Sequence, residues 1–212
     1  MTVRSRVVQG APAAIDESFP TIRLRRTLWF RAHLNRPGPD RGCWHYASRG
    51  TSATSNTGGR FDLVSPRGTC YFAATELAAA RERLGRPGNV VSADEVTNRI
   101  VTKVRCHLAP IANLLDIDAA RHGVTRELTS AVPYTMSQQW AEAFDAVGFA
   151  GIHYQPRFST DDVSALAVFG HGGVPKPLPP IIASRPMADV LREHGYVVLD
   201  SPSIDALGTI LD

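Results

Sequence analysis

Three side chains of this sequence have the types and setting to do chemistry together. They are Arg31, Arg60 and Glu82. Arg60 sits in Gly58-Gly59-Arg60-Phe61-Asp62, where paired glycines let a ligand come close to the main chain and the guanidinium after them suits a phosphate or carboxylate. Glu82 lies on a run whose helical spacing sets it beside the small residues Ala78 and Ala79, which leaves room around the carboxylate. An arginine such as Arg60 can clamp an anionic ligand, and a carboxylate with room around it can act on what is held. The same residues also read as a turn arginine, an edge-strand arginine in solvent, and a helix glutamate paired with Arg86 four positions on.

The elements that must carry these residues are signalled locally. From Thr21 to His33 the chain alternates, with Leu28, Phe30 and Ala32 facing one way and Trp29, Arg31 and His33 the other, which predicts a strand. A Pro-Arg-Gly turn precedes Cys70-Tyr71-Phe72-Ala73, a short aromatic strand. Thr75 then reads as an N-cap, Glu76 favours the positive helix end, and Gly85 is placed to end the helix in left-handed geometry. Residues 35–57 form a long glycine-rich loop with Trp44 and Tyr46 at its centre, a candidate lid over Arg60.

Further on, Ser92 opens a short helix, 99–108 alternates as a half-buried strand, and 113–117 suggests another strand followed by a helical turn to Ala120. A helix is predicted over 136–147, with Trp140 on its core stripe, then strands over 149–154 and 163–169. His153 is expected to face solvent. Gly170 to Pro180 reads as a linker, because it lacks the ending of a phosphate loop. The tail holds a helix over 186–194, a strand over 196–199 and a last helix capped by Ser203.

Composition narrows the class. The chain has 212 residues, 43% hydrophobic and 20% charged, as an ordinary globular protein has. No apolar run is long enough for a membrane span or a secretion signal, so a cytoplasmic protein is expected. A formal charge of +3 is mild, and the lysines are only Lys103 and Lys176. No basic patch with interleaved aromatics suggests direct nucleic-acid binding. Cys43, Cys70 and Cys106 are odd in number and unpaired in spacing, which favours free thiols. Cys43-Trp44-His45 lacks further ligands at zinc-like spacing, so no metal is expected.

The run GGRFD, GTCYFA and ELAAARERL resembles the core of the RES domain family, named for an arginine, a glutamate and a serine. Trp29-Phe30-Arg31 resembles the family's earlier arginine strand, and Gly151-Ile152-His153-Tyr154 the strand before its third signature position. The similarity covers roughly 27–169. It departs at that third position, where the chain reads Gln155-Pro156-Arg157-Phe158-Ser159. Pro156 stands in the serine's place, or Arg157 with a shift of one residue.

The resemblance implies an α/β (α+β) fold similar to that of ADP-ribosyltransferases, a split, bent mixed β-sheet flanked by helices with a cleft between its halves. It implies an enzyme that consumes NAD+ as a substrate and needs no metal. Nicotinamide would be released by hydrolysis or phosphorolysis, or ADP-ribose passed to a protein or small molecule; a catalytically inactive nucleotide-binding or partner-binding domain is the third reading. By the same resemblance Glu82 and Arg31 would be catalytic, while Arg60, Gly59, Phe61 and Tyr71 would hold the dinucleotide. A helix-turn-helix antitoxin is the implied protein partner, and a homodimer is compatible with it. The expected organisation is a flexible arm over 1–20, a catalytic domain over 21–170, a linker over 171–180 and an appendage over 181–212.

Overall fold

The computed structural model describes residues 10–12, 15–50, 58–159 and 161–200. Its backbone is a long twisted sheet that bends until it meets itself. Strand β1 (Thr21–Leu34) pairs antiparallel with β6 (Arg99–Asn113) along nearly its whole length, from Thr21 opposite Ala112 to Leu34 opposite Arg99. The other edge of β1 touches β4 (Arg67–Ala73) where Phe30 faces Ala73. Strand β4 pairs with β8 (Ala165–His171), β8 with β7 (Gly151–Tyr154), and β7 runs parallel to the far end of β6 at Ala112 and Asn113. The ring β1-β4-β8-β7-β6 is thereby closed. The near end of β6 pairs instead with β9 (Ile181–Pro186), so the sheet splits along this one strand. Two small parallel pairs stand apart, β2 (Ser48–Arg49) with β3 (Leu63–Val64) and β5 (Val90–Ser92) with β10 (Val197–Leu199).

The bend has a local cause in β1. Its register with β6 slips between Leu24 and Thr27, and Arg26 takes φ 58°, the geometry of a bulge that increases twist. Past the bulge, alternation holds as the sequence predicts: Trp29 and His33 are buried while Leu28 is exposed. Leu24, Trp29, Cys70, Phe72, Val104, Cys106, Leu166 and Val168, from four strands of the ring, form one cluster that fills its inside. The three thiols are free and buried, and burial pushes Cys70 up to about 11.

Helices cover the outside. Helix α1 (Glu76–Leu84) starts at Thr75, whose side chain accepts from Ala78 N–H, and ends at Gly85 with φ 67°. Both caps are those the sequence predicts. With α2 (Ala93–Val96), opened by a Ser92/Glu95 capping box, and α5 (Met187–Glu193), it packs an aliphatic cluster of Ala78, Ala80, Val96, Met187, Val190 and Leu191. A 3-10 turn (Ile117–His122), α3 (Glu127–Ser130) and α4 (Thr135–Ala146) cover the opposite side over Phe61, Trp140, Phe144 and Phe149.

Several expectations differ from this architecture. Residues 181–199 are no appendage: β9 is hydrogen-bonded into the main sheet and α5 packs on α1, because the near half of β6 has an edge that β7 does not reach. The 171–180 segment is pinned where it leaves β8, with Gly173 exchanging both backbone bonds with Tyr46 and Gly172 N–H donating to Pro66 O. Of the expected N-terminal arm, Phe19 is 1% exposed and packs edge-on against Phe144, and Gly10 O accepts from Trp140 Nε1, so apolar burial holds this part down. Residues 1–9 and the helix expected after Ser203 lie outside the described residues. Asn113 ends β6 instead of starting a strand, since Asp116 caps the following 3-10 turn. His153 is half-buried and bonded to Asn113 rather than solvated. Among the described residues, no helix is long and apolar enough to cross a membrane.

Candidate active site

Glu82 enters the site from the last turn of α1. The alanines Ala78, Ala79 and Ala80 let that helix lie close to the sheet and carry the carboxylate inward. Its Oε1 accepts from Phe158 N–H at 2.7 Å. Burial raises its pKa, against the opposing pull of that bond and of the charges on Arg60 and Arg157. Arg86, the helix partner suggested by spacing, goes to Glu95 instead at 2.7 Å.

Arg60 reaches the same space from the turn before β3. Its Nη1 donates to Ala131 O at 2.9 Å, and its guanidinium lies 4.6 Å from the Tyr134 ring centre. Burial lowers its pKa first of all, while Tyr134, Tyr154 and Glu82 favour its charge. The turn itself is closed by Asp62, which accepts Gly59 N–H at 2.6 Å and the Tyr71 hydroxyl at 2.7 Å. That closure explains the glycine pair. A Cβ on Gly58, already at φ 93°, would stand 2.8 Å from Asp62 Oδ2, and one on Gly59 would stand 2.8 Å from the Tyr71 hydroxyl. The glycines make room for the protein's own carboxylate and phenol, where the sequence suggested room for a ligand.

Tyr71 is correspondingly committed. Its hydroxyl donates to Asp62 and accepts Phe61 N–H at 2.8 Å, and burial followed by the Asp62 charge pushes its pKa well up. Its proton is thus engaged within the protein, and the ring is what it offers to the site. Asp62 is itself buried, which raises its pKa against the two bonds it accepts.

Arg31 projects from β1 and fastens the following loop. Its Nη1 donates to Cys43 O at 2.7 Å and to His45 O at 3.1 Å and contacts Cys70 Sγ, and its Nη2 donates to His45 O at 3.1 Å. The sequence assigns this guanidinium to an anion; in the structure much of its donor capacity is spent on loop carbonyls.

These groups surround one cleft of about 390 Å³, walled by β1, the 58–62 turn, β4 and α1. Arg31, Gly59, Arg60, Tyr71 and Glu82 all line it. Phe61 does not: it is 0% exposed and packs edge-on against Tyr154 at 5.0 Å, so its ring backs the site from the core. The cleft also contains Asp62, Arg83, Tyr134, Tyr154 and Phe158, which carried no assignment in the sequence. Asp62 and Tyr154 stand inside the two motifs already singled out; Tyr134 has no local signal, because it arrives from the segment before α4. Ser159 is 6% exposed, its Oγ has no partner among the described residues, and it is absent from the cleft wall.

A closed, split sheet with an arginine-and-glutamate cleft beneath one helix defines the class of protein. The RES domain model matches residues 29–204, so the chain belongs to the RES domain family. That match runs through β9, α5 and β10, in keeping with their place in the sheet and its covering layer. The crystal structure of the M. tuberculosis MbcT–MbcA toxin–antitoxin complex contains a chain of similar fold, with a TM-score of 0.56 over 82% of this chain and 90% of that one at 10% identity. No curated protein matches the chain at a significant level.

Proposed function

We propose that this chain is an NAD+-consuming enzyme of the RES toxin type, which breaks the bond between nicotinamide and ribose. The observation that carries the reading is the convergence of Glu82, Arg60 and Arg31 on one cleft with aromatic walls. When the C1′–N bond breaks, its electron pair leaves with neutral nicotinamide and positive charge develops on the ribose. The Glu82 carboxylate stabilises that charge and can accept a bond from a ribose hydroxyl. The spare donors of Arg60 and Arg31 hold the phosphates by charge-assisted bonds. Tyr71 and Tyr134 offer ring faces to the nicotinamide or ribose. An oxygen of water or phosphate then bonds to C1′; the water route releases a proton and gives ADP-ribose, and the phosphate route gives its phosphorylated form.

A volume near 390 Å³ lies within the usual range of small-ligand sites and suits the nicotinamide-ribose half of the substrate, with the other half toward the open side. The partner that fits this reading is a small helix-turn-helix antitoxin covering the cleft. The MbcT–MbcA complex supports it by fold alone.

The test is incubation of the full chain with NAD+, in buffers with and without phosphate, followed by chromatography of the products. Free nicotinamide with ADP-ribose or its phosphorylated form supports the proposal. Transfer of label to macromolecules moves the acceptor from water or phosphate to protein. Unchanged NAD+ overturns catalysis and leaves a binding domain.

A further inference from the structure

A second cavity, of about 370 Å³, lies between the near end of β6, β9, α2 and the turn that follows β1. Its wall is one-sided in charge. Arg41, Arg99, Arg185 and Arg192 line it, and no carboxylate among the described residues does. Arg185 is answered by Glu76 and Glu193, and Arg192 by Asp189 at 3.4 Å. Among the described residues neither Arg41 nor Arg99 forms an ion pair, although the charge of Arg99 is felt by the nearby Glu95 carboxylate. Arg41 Nε donates to the amide oxygen of Asn35 at 2.9 Å, and Arg99 Nε to the backbone oxygen of Glu95 at 2.5 Å. The Glu95 carboxylate is held by Arg86. Arg99 Nη1 is withdrawn from water with no hydrogen-bond partner among the described residues, a costly state for a charged donor that an anion would relieve after a change of rotamer. Its charge also presses on Arg83, on the wall of the first cleft.

The backbone adds an independent sign. Among the described residues three non-glycine residues have positive φ, and two of them, Arg41 at φ 54° and Asn98 at φ 57°, line this cavity. Such strain gathers at ligand sites.

Ser184 narrows the chemistry further. Leu34 O can only accept, so His33 Nδ1 carries the proton at 2.9 Å, and burial keeps the ring neutral with a pKa of about 4. Nε2 therefore accepts from Thr102 Oγ1 at 2.8 Å, and Thr102 in turn accepts from Ser184 Oγ at 2.7 Å. With its proton pointed inward, Ser184 presents lone pairs to the cavity. The preferred occupant is an anion that brings its own hydroxyl.

We propose that this cavity is a second ligand site, distinct from the NAD+ cleft, that binds a phosphate group carrying a hydroxyl donor, either free phosphate or a hydroxylated phosphate ester. Arg99 and Arg41 hold the anion and Ser184 accepts its hydroxyl proton.

The test is residue-resolved amide NMR of the full chain, titrated at constant ionic strength with inorganic phosphate, with ribose 5-phosphate and with sulfate. Saturable shifts at Asn98, Arg99 and Ser184 are expected with a phosphate probe, and the tighter of the two phosphate probes names the source. Arg99→Gln should weaken the binding about tenfold or more, the scale of one charge-assisted bond, with Arg41→Gln as a second variant if the first fails to fold. Arg60→Gln should leave these shifts in place. Shifts absent or confined to residues 58–62 and 131–134 overturn the proposal, as does binding undiminished in both arginine variants. Equal response to sulfate overturns the assignment to phosphate. None of these readouts requires NAD+ turnover, so this site and the proposed activity can fail separately.

Discussion

Glu82→Gln is the substitution that bears most directly on the proposed chemistry. The amide has the shape of the carboxylate, and its oxygen can keep the 2.7 Å bond from Phe158 N–H, so the change removes charge while conserving geometry. Arg60 keeps Ala131 O and the Tyr134 ring, so substrate binding should be largely retained. Two opposite charges about 4 Å apart in surroundings of effective dielectric near 20 attract by about 4 kcal/mol. Only the part that appears as charge moves from the nicotinamide ring to the ribose accelerates the reaction, which leaves about 2.7–4 kcal/mol, or roughly 10²–10³-fold in kcat. The assay is nicotinamide release from NAD+ by chromatography, with kcat and KM fitted separately, and KM is expected within about fivefold of the parent. A melting curve supplies the control. Burial raises the carboxyl of Glu82, so the parent loses stability as pH rises from the ordinary carboxyl value of 4.5 through the raised one. At neutral pH the glutamine variant should therefore melt no lower than the parent. Turnover within about threefold of the parent, in a variant that is folded by this measure, would refute the electrostatic role assigned to this residue.

Three further outcomes follow from the same geometry. Because Glu82 must be ionised to act and burial raises its pKa in the free protein, kcat/KM should climb with pH along an acid limb whose midpoint lies above 4.5; a midpoint at or below that value contradicts the assignment. Tyr71→Phe strands Asp62 Oδ1 and Phe61 N–H, and should cost about 1–3 kcal/mol, read as a fall of about 2–4 °C in Tm for each kcal/mol; an unchanged Tm would show the phenol to be dispensable to the turn. Gly59→Ala brings a methyl to 2.8 Å from the Tyr71 hydroxyl and 2.9 Å from Asp62 Oδ1, so a loss of about 1–3 kcal/mol in chemical denaturation is expected, together with reduced turnover.

What could be foreseen from the sequence divides along physical lines. Helix α1 was legible to its ends, because Thr75 and Gly85 act on bonds within a turn or two of themselves. Strands β1 and β4 were legible because alternation is local. The closing of the sheet was not, since nothing near Thr21 announces a partner at Ala112, and nothing near Ile181 announces that it will edge β6. For the site, spacing alone offered Glu82 an ion pair with Arg86, and only the family resemblance set it beside Arg60. Arg86 found Glu95 through the capping box of α2, a competition that spacing along one helix cannot reveal. Phe61 failed as a ligand surface for a plain reason: in the bend after Gly59 its ring turns inward to Tyr154 while its backbone serves Tyr71.

The pairing of β6 with β1, β7 and β9 governs when the cleft can exist during synthesis. Strand β1 must wait for β6, β4 for β8, and Glu82 for an amide 76 residues downstream. Pairings of such long range make folding late and concerted. A ribosome-bound fragment that stops short of β8 has the arginines and the glutamate but no pocket to gather them, so the cleft can form only once β8 has emerged.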